Sequence, residues 1–153
     1  MNSQTTFGVI VGTRGFFPAS LAMQGRKNIL SKLKQLDYGA ILPSENSTPH
    51  GAIETLADAK ICAKLFRENA ERITGILVLL PNFGDELGVV ETIVRSGLRV
   101  PILVQASPDI VAKMDMAHRR DAFCGKLSVC NNLYQRGFTF TNTSLVHFGL
   151  PTP

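Results

Sequence analysis

The sequence predicts an α/β protein built around one parallel β-sheet with helices on both faces. Strand-like and helix-like segments alternate from end to end, which implies parallel strands joined by right-handed crossovers. Two of these segments, residues 7–11 and 74–80, are apolar throughout, as central strands covered on both faces are. The count of about five strands favours a flavodoxin-like, doubly wound sheet with strand order 2-1-3-4-5.

The first strand and the first helix lie within residues 7–36. After the apolar run 7–11, Gly12 and Gly15 allow a sharp turn and a close approach of the backbone to a ligand. Pro18 suits the first position of a helix, where its missing N–H is not needed. The helix is expected to reach Leu36, with an inward face of apolar residues three or four positions apart. That face is Leu21, Ala22, Gly25, Ile29, Leu33 and Leu36.

A second strand, residues 39–42, and a second helix are predicted next. Thr48 followed by Pro49 has the character of a helix cap and a first helical position. The helix is therefore expected to run from Pro49 to about Arg72. Its predicted inward residues are Ile53, Leu56, Ala57, Ile61 and Leu65.

The rest of the chain completes the alternation. A third helix is expected over residues 85–96, ending at Gly97 as helices often do, and a fourth strand over residues 100–105. Residues 107–120 are either a helix or a surface excursion. A fourth helix within residues 123–136 and a short fifth strand over 138–141 follow. The predicted inward residues of the third helix are Leu87, Val90, Ile93 and Val94.

Composition limits the class of protein. The 153 residues fit one domain, which we place at residues 1–143, with 144–153 as a tail or the start of an interdomain linker. No apolar run approaches the ~20 residues of a membrane span, and the N-terminus lacks the order of a signal peptide. We therefore expect a soluble, cytoplasmic protein with no membrane partner. Three cysteines without C-x-x-C spacing indicate reduced thiols.

The net charge of +4 does not indicate a nucleic-acid partner. Lys27, Lys32 and Lys34 lie along one predicted helix, and the basic residues of the next helix are mixed with acidic ones. The basic residues form no stripe interleaved with aromatic residues. Solvated helix faces are therefore favoured over a nucleic-acid surface.

Four loops should meet at the carboxyl edge of the predicted sheet, where ligands bind in open α/β folds. They are residues 12–17, 81–86, 105–108 and 124–131. Their amide, hydroxyl and charged groups beside phenylalanines are the lining that a hydroxyl-rich small molecule needs. The polar groups are Thr13, Arg14, Asn82, Asp85, Glu86, Gln105, Ser107, Lys126, Ser128, Asn131 and Asn132.

Several of these residues have a structural alternative. Arg14 is as well explained by a surface ion pair as by a ligand. Asp85 and Glu86 stand where a helix begins, so capping and the helix dipole are favoured over binding. Asparagine is a poor helix former, which modestly favours a polar role for Asn131. The sequence lacks the dinucleotide fingerprint, Walker A, zincin and nucleophile-elbow motifs, and no histidine stands near a cysteine to suggest a metal site.

Three segments carry a family resemblance. Residues 8–18 (GVIVGTRGFFP), 76–86 (ILVLLPNFGDE) and 121–137 (DAFCGKLSVCNNLYQRG) resemble the N-terminal domain of the L-fucose isomerase/L-arabinose isomerase family, and more closely its fucose-isomerase-related branch. The resemblance implies a metal-dependent aldose–ketose isomerase, typically with Mn²⁺, whose metal ligands and catalytic residues lie in later domains. This chain would then hold no metal and no catalytic residue of its own.

The resemblance also implies substrate contacts. Arg14 matches a substrate-contacting arginine, and Asn82, Phe83 and Glu86 fall in the loop that walls the sugar pocket of a neighbouring subunit. Ser128 and Asn131 match a segment that faces substrate. The expected partners are thus a monosaccharide at a subunit interface, the catalytic C-terminal domains of the same enzyme, and further copies in a homo-oligomer.

Two functions follow from these observations. The first is a substrate-lid and oligomerisation domain that is inactive on its own, either as a fragment or as a separate gene product. The alternative is a stand-alone sugar-binding or regulatory module that uses the same edge without catalysis. A lid that supplies half a site should bind free sugars too weakly to detect, whereas a receptor should reach micromolar affinity, about 8 kcal/mol.

Overall fold

A computed structural model describes residues 5–143. The strands are β1 Thr6–Val11, β2 Gly39–Ile41, β3 Gly75–Leu80, β4 Ile102–Ala106 and β5 Thr141–Asn142. The helices are α1 Ala19–Gln35, α2 Leu56–Glu68, α3 Glu86–Ser96 and α4 Ala122–Gln135, with 3₁₀ turns at Pro49–Gly51 and Ala70–Arg72. Within these residues no helix is both long and apolar enough to cross a membrane.

The five strands form one parallel sheet in the order β2-β1-β3-β4-β5, which confirms the predicted architecture. The register aligns the ends of the central strands, since Val11 of β1 pairs with Leu79 of β3 and Leu79 pairs with Gln105 of β4. The loops that follow these three strands therefore leave the sheet at one edge.

The two faces of the sheet carry different layers. Helices α2, α3 and α4 pack on the face that presents Ile10, Val78 and Val104. Helix α1 packs on the other face, against Val9 and Leu77 among others. The core is therefore thicker on the first face, because three helices bury their apolar sides there.

The predicted second helix was wrong in its start and in its inward face. Pro49–Gly51 form only a 3₁₀ turn, and α2 begins at Leu56. Thr55 caps α2 in a reciprocal capping box, accepting from the Asp58 N–H while the Asp58 side chain accepts from the Thr55 N–H. Ile53 lies outside the helix because its backbone pairs with the end of β1, donating to the Val11 carbonyl at 2.8 Å.

The shifted start changes which residues of α2 face the core. The inward residues are Ala59, Cys62, Ala63 and Phe66, whereas the predicted Ile61 is 42% exposed and Leu56 lies on the surface. Helix α1 follows its prediction except at Leu36, which is half exposed at the C-cap.

Helix α3 ends as predicted at Gly97, whose φ of 69° is left-handed. Its inward residues Val90 and Ile93 are confirmed, but Leu87 is 55% exposed and Val94 is also on the surface. Residues 107–120 form a surface excursion and no helix. Its ends are held together because the Arg120 N–H donates to Asp109 at 2.6 Å.

The fifth strand is two residues long and begins where its prediction, residues 138–141, ends. The predicted tail, residues 144–153, lies outside the described residues. The assignment of residues 1–143 to a single domain stays a prediction.

Candidate functional site

The loop after β1 is fixed to two other segments through the backbone of Thr13. Its N–H donates to the Ile53 carbonyl at 3.0 Å, and its own carbonyl accepts from the Asp85 N–H at 3.0 Å. The preceding residue, Gly12, leaves no room for a side chain, since a Cβ there would stand 2.8 Å from a methyl group of Val89. The next residue along the chain, Arg14, is therefore presented from a rigid backbone.

Asn82 holds the loop after β3 from within. Its side chain is fully buried, its amide nitrogen donates to the Thr13 hydroxyl at 2.8 Å, and its amide oxygen accepts from the Gly84 N–H at 3.0 Å. A buried amide bonded at both ends has no free surface to offer a ligand. The geometry makes Asn82 a positioning residue for the two loops; direct contact with a sugar stays a prediction.

Arg14, Phe83 and Glu86 come together at the carboxyl edge of the sheet. The Arg14 guanidinium carbon lies 4.4 Å from the centre of the Phe83 ring, and its Nη2 donates to the Glu86 carboxylate. Asp85 stands 3.8 Å from the same nitrogen. We call these four side chains the Arg14 cluster. Each of its three charged side chains is between a quarter and a third exposed, so the cluster faces solvent.

Asp85 has two roles in this arrangement. One carboxylate oxygen accepts from the Gly88 N–H at 2.7 Å and caps α3, as the capping alternative predicts. The other oxygen is the one that faces Arg14. Because the cap fixes Asp85 and the first turn of α3 carries Glu86, the helix start orients both acids toward the guanidinium.

Glu54 is a neighbour that the sequence interpretation missed. Its carboxylate lies over Gly15, where a Cβ would overlap Glu54 Oε1. The interpretation placed Glu54 in the second helix, whereas Ile53, the residue before it, bridges to Gly12 beside β1. The Thr55-x-x-Asp58 capping box is the sequence signal that could have placed Glu54 correctly. It starts the helix after Thr55, so Glu54 lies before the helix.

Helix α4 starts against the same loops. Gly125 lies so close to Phe83 that a Cβ would overlap the Phe83 carbonyl oxygen. Asn131 is exposed and lies six residues after Gly125, which is about 9 Å along the helix axis. Ser128 is half-buried and lies about one helical turn after Gly125. In the described part of the chain no hydrogen bond or ion pair joins Ser128 or Asn131 to the Arg14 cluster, and their substrate contact stays a prediction.

Lys126 turns inward rather than toward the edge. It is 2% exposed, and its Nζ donates to the carbonyl and the hydroxyl oxygens of Thr143, at the end of β5. Burial lowers the pKa of Lys126, and the nearby Cys130 opposes this with a smaller effect that raises it. Lys126 thus ties α4 to the edge of the sheet.

Metal ligands are not grouped anywhere in residues 5–143, since no three His, Cys, Asp or Glu side chains stand close enough to hold an ion.

Two cysteine thiols are affected by burial. Burial raises the pKa of Cys62 far above its ordinary value, and it also raises the pKa of Cys130. These thiols are therefore protonated and weak as nucleophiles.

The Arg14 cluster combines hydrogen-bond donors with an apolar ring. An arginine carries five N–H donors, and the described contacts use those of Nη2, while Nε is buried with no acceptor among the described residues. The stacked Phe83 ring adds an apolar wall beside these donors. Ion pairs with this degree of exposure contribute at most about 1 kcal/mol to the free energy of unfolding. The cluster therefore adds little to the stability of the fold.

A comparison with known protein families gives a match. The family model described as "Fucose/sulfoquinovose isomerase, N-terminal domain" matches residues 8–151. Searches among curated proteins and among solved structures found no match. Because the family match spans nearly the whole chain, the protein belongs to the family of fucose/sulfoquinovose isomerase N-terminal domains.

Proposed function

We propose that this domain supplies part of the sugar-binding wall of a metal-dependent aldose–ketose isomerase and helps to assemble its subunits, without catalysing the reaction itself. The observation that carries the proposal is the Arg14 cluster, a guanidinium held between Phe83 and Glu86 at the ligand-binding edge of the sheet. Arg14 contacts the sugar, Phe83 packs on its apolar face, and Glu86 holds Arg14 in place.

The charge of the cluster favours an uncharged sugar. Asp85 and Glu86 flank the single guanidinium of Arg14, and two negative charges against one positive charge leave a formal charge of −1. A sulfonate or phosphate would be repelled by this balance, whereas hydroxyl groups can both donate to the acids and accept from Arg14. Of the two sugars in the family description, fucose therefore fits better than sulfoquinovose.

The described residues do not fit a resident Mn²⁺, because they contain no cluster of metal-ligating side chains. We assign the metal and the proton-transferring groups to other domains of the enzyme, as the family resemblance implies. This chain's part is to bind, orient and cover the substrate, and no step of the reaction is placed on its own residues.

The decisive test replaces Arg14 in the intact isomerase that contains this sequence. Loss of a charge-assisted hydrogen bond, worth about 1.5–3 kcal/mol, should raise KM for fucose about 10- to 100-fold for Arg14→Ala. The melting temperature should change little, because the ion pairs of Arg14 are partly exposed. Arg95→Ala is the matched control, since it also removes an exposed arginine–glutamate pair, but on the surface of α3. An unchanged KM with a lower melting temperature would contradict the proposal.

The chain alone provides a second test. Incubated with fucose and Mn²⁺, it should form no ketose, and NMR titration with fucose should show shifts that do not saturate at millimolar sugar. Metal-dependent turnover by the isolated chain would refute the non-catalytic role. Saturation at micromolar sugar would instead support the stand-alone binding module. The assembly role is checked by sedimentation of the intact isomerase, which should be oligomeric.

A further inference from the structure

A second polar region lies beside β2, where α1 faces the segment that follows this strand. Gly25 of α1 packs against the first residue after β3, since a Cβ there would stand 2.7 Å from the Pro81 side chain. Arg26, the next residue, lies against the 3₁₀ turn after β2, because a Cβ on Gly51 would stand 2.7 Å from its Nη1. The Arg26 guanidinium is thus held between α1 and the segment that leaves the carboxyl end of β2.

The Arg26 guanidinium is buried, and the described residues use little of its hydrogen-bonding capacity. Arg26 is 9% exposed, and its Nε and Nη1 are both buried with no hydrogen-bond acceptor among residues 5–143. Its ion-pair partner is Glu45, whose Oε1 lies 3.5 Å from Nε, beyond the roughly 2.7–3.2 Å of a formed hydrogen bond. Buried donors are normally paired in folded proteins, so this guanidinium retains the capacity to bind an acceptor.

Arg26 borders a surface pocket with a volume of about 500 Å³. The charged residues that line it are Arg26, Lys27 and Glu45, and two positive charges against one negative charge leave a formal charge of +1. Ser20 and Gln24 add a hydroxyl and an amide to the lining. The sign of the charge favours an anion, and the pocket has room for a small organic molecule.

Glu45 stands where the acidic group of such a molecule would bind. Its side chain is 66% exposed, whereas that of Arg26 is 11% exposed, so the carboxylate can turn into solvent while the guanidinium stays in place. An ion pair with one partner this exposed contributes little to the stability of the fold. An incoming anion therefore exchanges one long contact for the two short hydrogen bonds that an arginine makes to a carboxylate or a phosphate.

We propose that Arg26 binds the oxyanion group of a small molecule, a phosphate or a carboxylate, and that Glu45 occupies the position of this group when the molecule is not bound. The guanidinium donates to two ligand oxygens from Nε, which Glu45 faces, and from the adjacent Nη2. The remainder of the ligand lies in the pocket along α1. None of the residues of the Arg14 cluster lines this pocket, so the site is independent of the proposed sugar contact.

Titration of the full chain with inorganic phosphate and, separately, with acetate tests the proposal. The NMR resonance of the Arg26 Nε–H group should shift and saturate with a dissociation constant of roughly 1 mM for at least one of the two anions. Sodium chloride at equal ionic strength is the reference for screening and should give no saturating shift. Saturation with phosphate alone indicates a phosphorylated ligand, and saturation with acetate alone indicates a carboxylic acid. The proposal is overturned if neither anion saturates the shift.

The variant Glu45→Gln distinguishes a specific site from general attraction to a basic protein. It removes the competing carboxylate, so the affinity for the same anion should rise about three- to tenfold. The matched control is Glu68→Gln, which removes the same charge from an exposed ion pair with Lys64 on α2 and should leave the affinity unchanged. Equal affinities of the two variants would mean that the anion does not bind where Glu45 lies, and would refute the proposal.

The variant Arg26→Gln should weaken anion binding at least tenfold, because it removes the positive charge and the paired donors. Lys64→Gln is its control for net charge, since Lys64 is exposed and forms an ion pair only with Glu68 among the described residues. Circular dichroism establishes whether the Arg26 variant is folded, and unchanged affinity in the folded variant would contradict the proposal. If the variant does not fold, the comparison of Glu45→Gln with Glu68→Gln decides the question by itself.

Discussion

The loops after β1 and β3 and the first turns of α4 meet at the same edge of the sheet, but they differ in how their polar side chains are used. In the loops, Thr13 and Asn82 are buried and support an exposed cluster around Arg14. In α4, Lys126 is buried with its charge directed to Thr143, and Asn131 faces solvent without a partner in the cluster. In the loops, buried polar contacts thus hold a surface cluster in place. In α4, the buried contact of Lys126 only holds the helix against the end of β5.

The largest effect on stability is expected where α4 contacts the loop after β3. Gly125→Val should destabilise the protein by about 3 kcal/mol, because the new side chain overlaps the Phe83 backbone and must displace either α4 or the loop. Thermal or urea unfolding measures the loss. Ser128→Ala, on the same helix, serves as the control and should stay within about 0.5 kcal/mol. Near-equal stability of the two variants would show that α4 does not dock tightly on the loop.

A smaller loss of stability is expected from the support beneath the cluster. Asn82→Ala should cost about 2–3 kcal/mol, since it leaves the Gly84 N–H without its acceptor in the interior and removes the bond to Thr13. A double-mutant cycle with Thr13→Val should show a coupling of about 1 kcal/mol. Strict additivity of the two changes would argue that the hydrogen bond between them does not hold the loops together.

A change of specificity is expected from the exposed acid. Glu86→Gln in the intact isomerase removes one of the negative charges around Arg14 and should improve the relative kcat/KM for a sulfonated sugar over fucose by about three- to tenfold. Stability should change by no more than about 1 kcal/mol, since the pair is partly exposed. Glu91→Gln, on the surface of α3, is the matched control. An unaltered ratio would mean that the charge of the cluster does not select the substrate.

The smallest effect is expected on α4. Asn131→Ala in the intact isomerase should raise KM only about two- to threefold, because the exposed side chain lies away from the cluster and would contact the sugar across a subunit interface, as the family resemblance implies. Stability should change by less than about 0.5 kcal/mol. An unchanged KM would argue against the predicted substrate contact of Asn131.

The comparison also shows where sequence patterns succeed. The proximity of Arg14 and Glu86 could be predicted, because both follow buried strands and the carboxyl ends of parallel strands share one edge. The burial of Lys126 could not be predicted, since its inward direction depends on the carbonyl of Thr143, seventeen residues away along the chain. The start of α2 was misplaced because two local cap signals compete, at Thr48 and at Thr55. The long-range backbone pairing of Ile53 with Val11 decides between them.

By itself the sequence determined the α/β class, the strand order, the ends of most helices and the edge at which the loops after β1 and β3 meet. These properties depend on periodicity and turn chemistry, which are encoded within a few neighbouring residues. Only the tertiary structure decided that Asn82 is buried, that the Glu54 carboxylate lies over Gly15, and that one face of the sheet retains an apolar groove. Such features arise from contacts between segments distant along the chain, and no local pattern specifies which of two possible partners a side chain meets.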